Sequence, residues 1–132
     1  MSGDPLDLEL ATTAVLADNS DVRMLLKMLA RQLVATLGDR VRVQYDGGLF
    51  KKSNEIKSMR VTLGPHEYAA EYKAGVVEPS IGYNSGGIRI RTDRVGMEEW
   101  VRRLLTDLQG EAATNMDSKA ALENIVLGGG RL

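Results

Sequence analysis

Apolar residues recur at helical spacing along residues 21–37, at Val22, Leu25, Leu26, Leu29, Leu33 and Leu37, and the run closes at Gly38. That repeat follows a 3.6-residue period and predicts a helix with one buried face. Asn19 or Ser20 is placed to cap it, and Asp21 falls in its first turn. Met24 and Met28 widen the apolar arc, as in a helix that touches both a sheet and a further element or subunit. A stronger repeat over 97–109 joins Met97, Trp100, Val101, Leu104, Leu105 and Leu108. Glu98 and Glu99 suit the positive end of that helix, each four residues before an arginine, Arg102 and Arg103. Leu122, Ile125 and Val126 predict a short last helix over 120–126, with Asn115 and Asp117 as caps and Gly128 to Gly130 as its end.

Between the helices the period drops to two. Val41, Val43 and Tyr45 alternate with Arg40, Arg42 and Gln44, and Asp46-Gly47 is a dipeptide favoured in type I′ hairpin turns. The return strand starts either at Gly48 or near Ile56. Residues 56–73 form a hairpin with Gly64-Pro65 at its tip, which sets a register. Leu63 opposes His66, Val61 opposes Tyr68 and Met59 opposes Ala70 on the inner face. On the outer face Arg60 opposes Ala69, with Glu67 and Glu71 on its diagonals as a small charge cluster. Residues 74–87 carry four glycines and a proline and are expected to be a long, mobile connection after a short extension at Val76 and Val77. Ile88 and Ile90 then alternate with Arg89 and Arg91, the pattern of a half-buried strand with isoleucines inward and guanidinium groups outward.

Residues 1–18 are read two ways. Leu6, Leu8 and Leu10 alternate with Asp7 and Glu9 as in a strand, whereas Asp4-Pro5 makes a good helix start. This segment is flexible or docks on another subunit. Residues 19–127 are expected to form a single α+β domain, an antiparallel sheet of about four strands with N-terminal and C-terminal helices packed on one face. Residues 128–132 are a flexible glycine-rich tail.

The chain has 132 residues, enough to bury roughly two thirds of its unfolded surface without a staple. It contains no cysteine, and its start, MSGDPLDLEL, has neither the basic opening nor the apolar core of a signal peptide, so a cytoplasmic location is expected. No apolar run is long enough to span a bilayer. The net charge of −1 conceals a split: residues 40–94 hold ten Lys/Arg against six Asp/Glu, and the flanks hold seven against twelve.

The chemistry of the residues excludes more than it assigns. The single histidine, His66, leaves a turn and is read as a strand residue rather than a metal ligand or triad base. Glu98 and Glu99 diverge around their helix and belong to ion pairs. Gly47 to Ser53 has a Lys-Ser but neither the glycine spacing nor the following helix of a phosphate loop. No catalytic residue, cofactor site or metal site is assigned. The remaining constellation is Arg40, Arg42, Arg60, Arg89 and Arg91, all on the outward parity of their strands. These are the candidate partner-binding residues. The tyrosines Tyr45, Tyr68 and Tyr72 fall on the inner parity, which leaves the basic face without a platform for stacking bases.

The order helix, several antiparallel strands, helix is similar in architecture to that of secretion-chaperone-like adaptors and small nucleoid-associated proteins. The expected function is a non-enzymatic protein-binding or adaptor module acting as a homo-oligomer. The alternative is a nucleic-acid-binding protein that contacts phosphates through the basic sheet face, and a small enzyme without a recognisable motif is third.

Overall fold

The computed structural model describes residues 8–18, 21–45 and 55–128. Its elements run α1 (Leu8–Asp18), α2 (Val22–Leu37), a 3-10 turn (Gly38–Arg40), β1 (Val41–Tyr45), β2 (Ile56–Leu63), β3 (His66–Lys73), β4 (Val76–Ser85), β5 (Ile88–Arg94), α3 (Met97–Ala112) and α4 (Met116–Gly128). The strands form one antiparallel meander in the order β1-β2-β3-β4-β5. All four helices lie to one side. α2 lies on β1 and β2, α3 lies on β4, α4 packs on both of these helices, and α1 packs on α3.

The helical repeats convert directly into packing. Leu25, Leu26, Leu29, Leu33 and Leu37 of α2 are buried, as are Trp100, Val101, Leu104, Leu105 and Leu108 of α3. They meet Met59, Val61, Leu63, Tyr68, Ala70 and Ile81 from the inner sheet face. Asp21, expected in the first turn of α2, is instead its cap, its carboxylate accepting from the Arg23 amide at 2.9 Å. Met28 is buried, but Met24 stays half exposed. Residues 8–10 are helical rather than extended, and α1 buries Ala11 and Val15.

The sheet has five strands, one more than expected, because residues 76–85 are a strand and not a loop. Three of the four glycines lie at its two ends, and Gly82 lies within it. Ala74 and Gly75 both have positive φ, and so do Gly86 and Gly87, so each pair forms a two-residue turn that joins adjacent strands. Pro79 is tolerated because β5 pairs only from Ser80 onward. Its carbonyl accepts from the Val95 amide at 3.3 Å, so its missing N–H would face the side where β5 has ended. The β2–β3 register is the expected one, residue for residue, from Leu63↔His66 to Arg60↔Ala69, and Gly64 takes the positive φ of that turn. β2 begins at Ile56. The Asp46-Gly47 turn, Leu6 and the tail from Gly129 lie outside the described residues.

Candidate functional site

The sheet face turned away from the helices carries polar side chains. At its centre Ala69, Ser80 and Gly82 are close neighbours on β3 and β4, and their small size leaves a depression of about 230 Å³. Arg89 reaches across from β5 and lays its guanidinium over Gly82, where a Cβ would overlap it. Its Nε donates to Asn84 Oδ1 at 2.7 Å, its Nη1 donates to Thr92 Oγ1 at 2.9 Å, and its Nη2 pairs with Glu67. Glu67 also faces Arg60, at 3.8 Å. One carboxylate therefore stands between two guanidinium groups contributed by β2 and β5. The face is not uniformly basic, since Glu71 and Glu78 oppose each other across β3 and β4, with Lys73 3.5 Å from Glu71.

Three of the five candidate arginines share this face. Arg42 and Arg60 are direct cross-strand partners, and Arg89 joins them through Glu67. Arg42 has no ion pair among the described residues. Arg40 is elsewhere: from the 3-10 turn it donates to the Thr62 carbonyl at 3.1 Å and pairs with Glu111 at 2.6 Å, and Ser118 of α4 donates to the same Glu111 oxygen at 2.8 Å. It clamps the end of the sheet to α3 and α4.

Arg91 is also off this face. Tyr83 pairs with Arg91 but Asn84 pairs with Arg89, so β5 carries one extra residue, Ile90, at a bulge. A bulge reverses side-chain parity beyond it. Arg91 consequently stands over the Tyr83 ring at 4.3 Å, on the helix side, while Arg89 stays outside. The isoleucines expected inward are exposed, Ile88 by 69% and Ile90 by 66%.

On the inner side the helix and sheet meet through polar groups that the sequence patterns did not single out. Arg103, Asp107 and Glu111 recur every fourth residue along α3, beside its apolar stripe. Asp107 Oδ2 lies 2.7 Å from His66 Nδ1 and accepts from the Tyr68 hydroxyl, which also lies 2.8 Å from the Arg103 carbonyl. Arg103 donates to the Tyr83 hydroxyl, and the His66 and Tyr83 rings meet edge to face at 5.0 Å. Burial, together with the adjoining Asp107 carboxylate, pushes the Tyr68 hydroxyl far above its ordinary pKa, which keeps it a neutral donor. The spacing of four along α3, set against the inward parity of His66 and Tyr68, was the available signal for this network.

Along the sheet end nearest α2 a groove of about 870 Å³ runs between Met24, Tyr72, Val76 and Met97. On its wall Glu55 bridges Arg23 at 3.5 Å and Lys27 at 3.1 Å, and the Arg23 guanidinium stacks on Tyr72 at 3.7 Å. Among the described residues no three His, Asp or Glu side chains converge in a way that would hold a metal ion, and no helix is long and apolar enough to cross a membrane. No protein-family model, no curated protein and no solved structure matches this chain.

Proposed function

We propose that this chain is a non-enzymatic, cytoplasmic protein-binding or adaptor module that uses the open sheet face and acts as a homo-oligomer. The observation that carries the reading is Glu67, held between Arg60 and Arg89. A polyanion needs cations free of carboxylates, whereas a face on which both signs alternate complements a protein surface of mixed charge. The His66, Asp107 and Tyr68 group is accounted for as a tie between α3 and β3. Nucleic acid is the second reading, favoured by the like-charged pair Arg42 and Arg60 directly opposite each other.

The two readings separate under salt. For a protein partner, complexes recovered with the wild-type chain are expected to be lost with Arg60→Glu and Arg89→Glu, while titration with a DNA duplex gives only weak binding, around 10⁻⁴ M at physiological salt. A log affinity for duplex that falls linearly with log salt, with the slope reduced by about one for each arginine removed, would sink the protein reading.

Support for an oligomer comes from α2, which exposes Val22, Met24 and Val34 to solvent. Light scattering is expected to give at least twice the chain mass of 14.4 kDa. Met24→Glu with Val34→Glu is expected to return the single-chain mass. A sharp single-chain mass for the wild type at tens of micromolar removes the oligomer from the reading.

A further inference from the structure

Strand β5 is one edge of the sheet, with no strand on its far side among the described residues. Edges that merely resist pairing shed large apolar groups. This one exposes Ile88 and Ile90 by about two thirds. Along Ile88–Arg94 three arginines stand against one carboxylate, Asp93, and Arg91 already lies 3.5 Å from it. Arg94 makes no ion pair among the described residues. Beyond the bulge the backbone is regular, since Arg91 to Arg94 pair without interruption with Tyr83 to Ser80.

We propose that β5 is a docking edge for an acidic, extended segment of a partner protein. The segment adds as a sixth strand through main-chain hydrogen bonds, with carboxylates beside Arg91 and Arg94 and apolar side chains against Ile88 and Ile90. The proposal rests on the reading of the chain as a protein-binding module and names the chemistry of its partner.

Charge selects the occupant. A second copy of β5 laid antiparallel about Arg91 would set Arg91 against Arg91, and centred on Ile90 it would set Arg89 against Arg91 twice, both unfavourable cross-strand pairs. Centred on Thr92 it would set Arg91 against Asp93 twice, but Arg91 already lies 3.5 Å from that carboxylate in its own strand, so this register adds little to offset the excess of arginines on both copies. The opposite edge, β1, offers Arg42 and no carboxylate. The arginines that repel these like strands therefore favour an acidic one, so the same residues supply attraction and exclusion.

The test titrates the full chain against fluorescein-labelled peptides of about ten residues, the length of a long strand. One Val/Glu peptide sets two Glu three residues apart, so that their carboxylates take opposite faces as Arg91 and Arg94 do, with Val at the positions that meet Ile90 and Ile88. A second, the Val/Lys peptide, has Lys in place of both Glu, and a third is the Val/Glu peptide N-methylated at alternate residues. Anisotropy is expected to rise only with the first. Arg91→Glu with Arg94→Glu is expected to weaken that binding about tenfold or more, as loss of two interfacial charge pairs does. Ile88→Ser with Ile90→Ser is expected to weaken it about threefold or more through lost apolar contact. Equal binding of the N-methylated peptide overturns strand addition. Equal binding of the Val/Lys peptide, or of an oligothymidylate competing at the same site, overturns the acidic partner, and so does an affinity unchanged in either variant. If the arginine reversal unfolds the chain, the isoleucine variant decides. The wider reading has its own readout, the loss of captured complexes on Arg60→Glu and Arg89→Glu, so complexes that survive absence of peptide binding at β5 overturn this proposal alone.

Discussion

Replacing Trp100 by alanine is expected to cost about 3–5 kcal/mol of folding stability, and Arg102→Ala on the same helix well under about 1 kcal/mol. The difference comes from what each side chain touches. Trp100 is fully buried, its Nε1 donates to the Ser80 carbonyl at 3.1 Å, and its ring meets Tyr68 edge to face at 6.0 Å. Truncation opens a cavity where α3 crosses β3 and β4 and leaves that carbonyl short of a donor. A domain of this size has roughly 5–15 kcal/mol in total, so the variant is expected to be marginal. Denaturant unfolding followed by circular dichroism checks it. Because Trp100 is the sole tryptophan, its emission should also be blue-shifted in the native wild type and shift red on unfolding. Equal losses for the two variants would show that α3 is not anchored through this residue.

Tyr68 is expected to give the second large effect, and to divide it into two measurable parts. Tyr68→Ala removes a buried ring and should cost about 3–5 kcal/mol, whereas Tyr68→Phe keeps the ring and removes only the hydroxyl, at about 1 kcal/mol. The smaller figure reflects the choice of acceptors: the one hydroxyl proton is shared between Asp107 and the Arg103 carbonyl, and both belong to α3. The raised pKa of this hydroxyl has a definite sign in stability. Its contribution is fully present below the ordinary tyrosine value of about 10, and it is lost as pH rises past that value, because the unfolded chain then releases a proton that the folded chain keeps. Wild-type stability should therefore decline above about pH 10, and Tyr68→Phe should decline less over the same range. Parallel curves for the two proteins would show that the hydroxyl does not titrate differently on folding.

Local pattern was sufficient wherever one periodicity acted alone. The stripes of Leu25, Leu29 and Leu33 and of Trp100, Leu104 and Leu108 specified two helices and their buried faces, because a continuous apolar face has no stable place but a core. The Gly64-Pro65 tip specified the β2–β3 register, since a two-residue turn fixes which residues oppose and period-two alternation fixes which side they take. Composition misled at residues 76–85. Glycine and proline density reads as a loop, yet Gly75, Gly86 and Gly87 only close the turns at the ends of β4, while the strand itself holds Val77, Ile81 and Tyr83.

Tertiary structure alone decided how the arginines divide. Arg89 and Arg91 share a parity in the sequence, but the extra residue at Ile90 sends one to the open face beside Glu67 and the other to the Tyr83 ring. A bulge depends on how two strands match along their length, which neither strand encodes by itself. Arg40 parts from Arg42 for a similar reason, since the chain enters β1 through a 3-10 turn beside Glu111, 71 residues away. The Asp107 tie to His66 and Tyr68 likewise needs α3 to return across β3 before its members can meet. Helices and hairpins were legible because their determinants lie within a few residues of one another. So was the contact of Arg60 with Glu67 on the open face, which the hairpin register sets. The connections of Arg89, Arg40 and Asp107 were not, because they arise only when segments distant in sequence are brought together by burial of the apolar stripes.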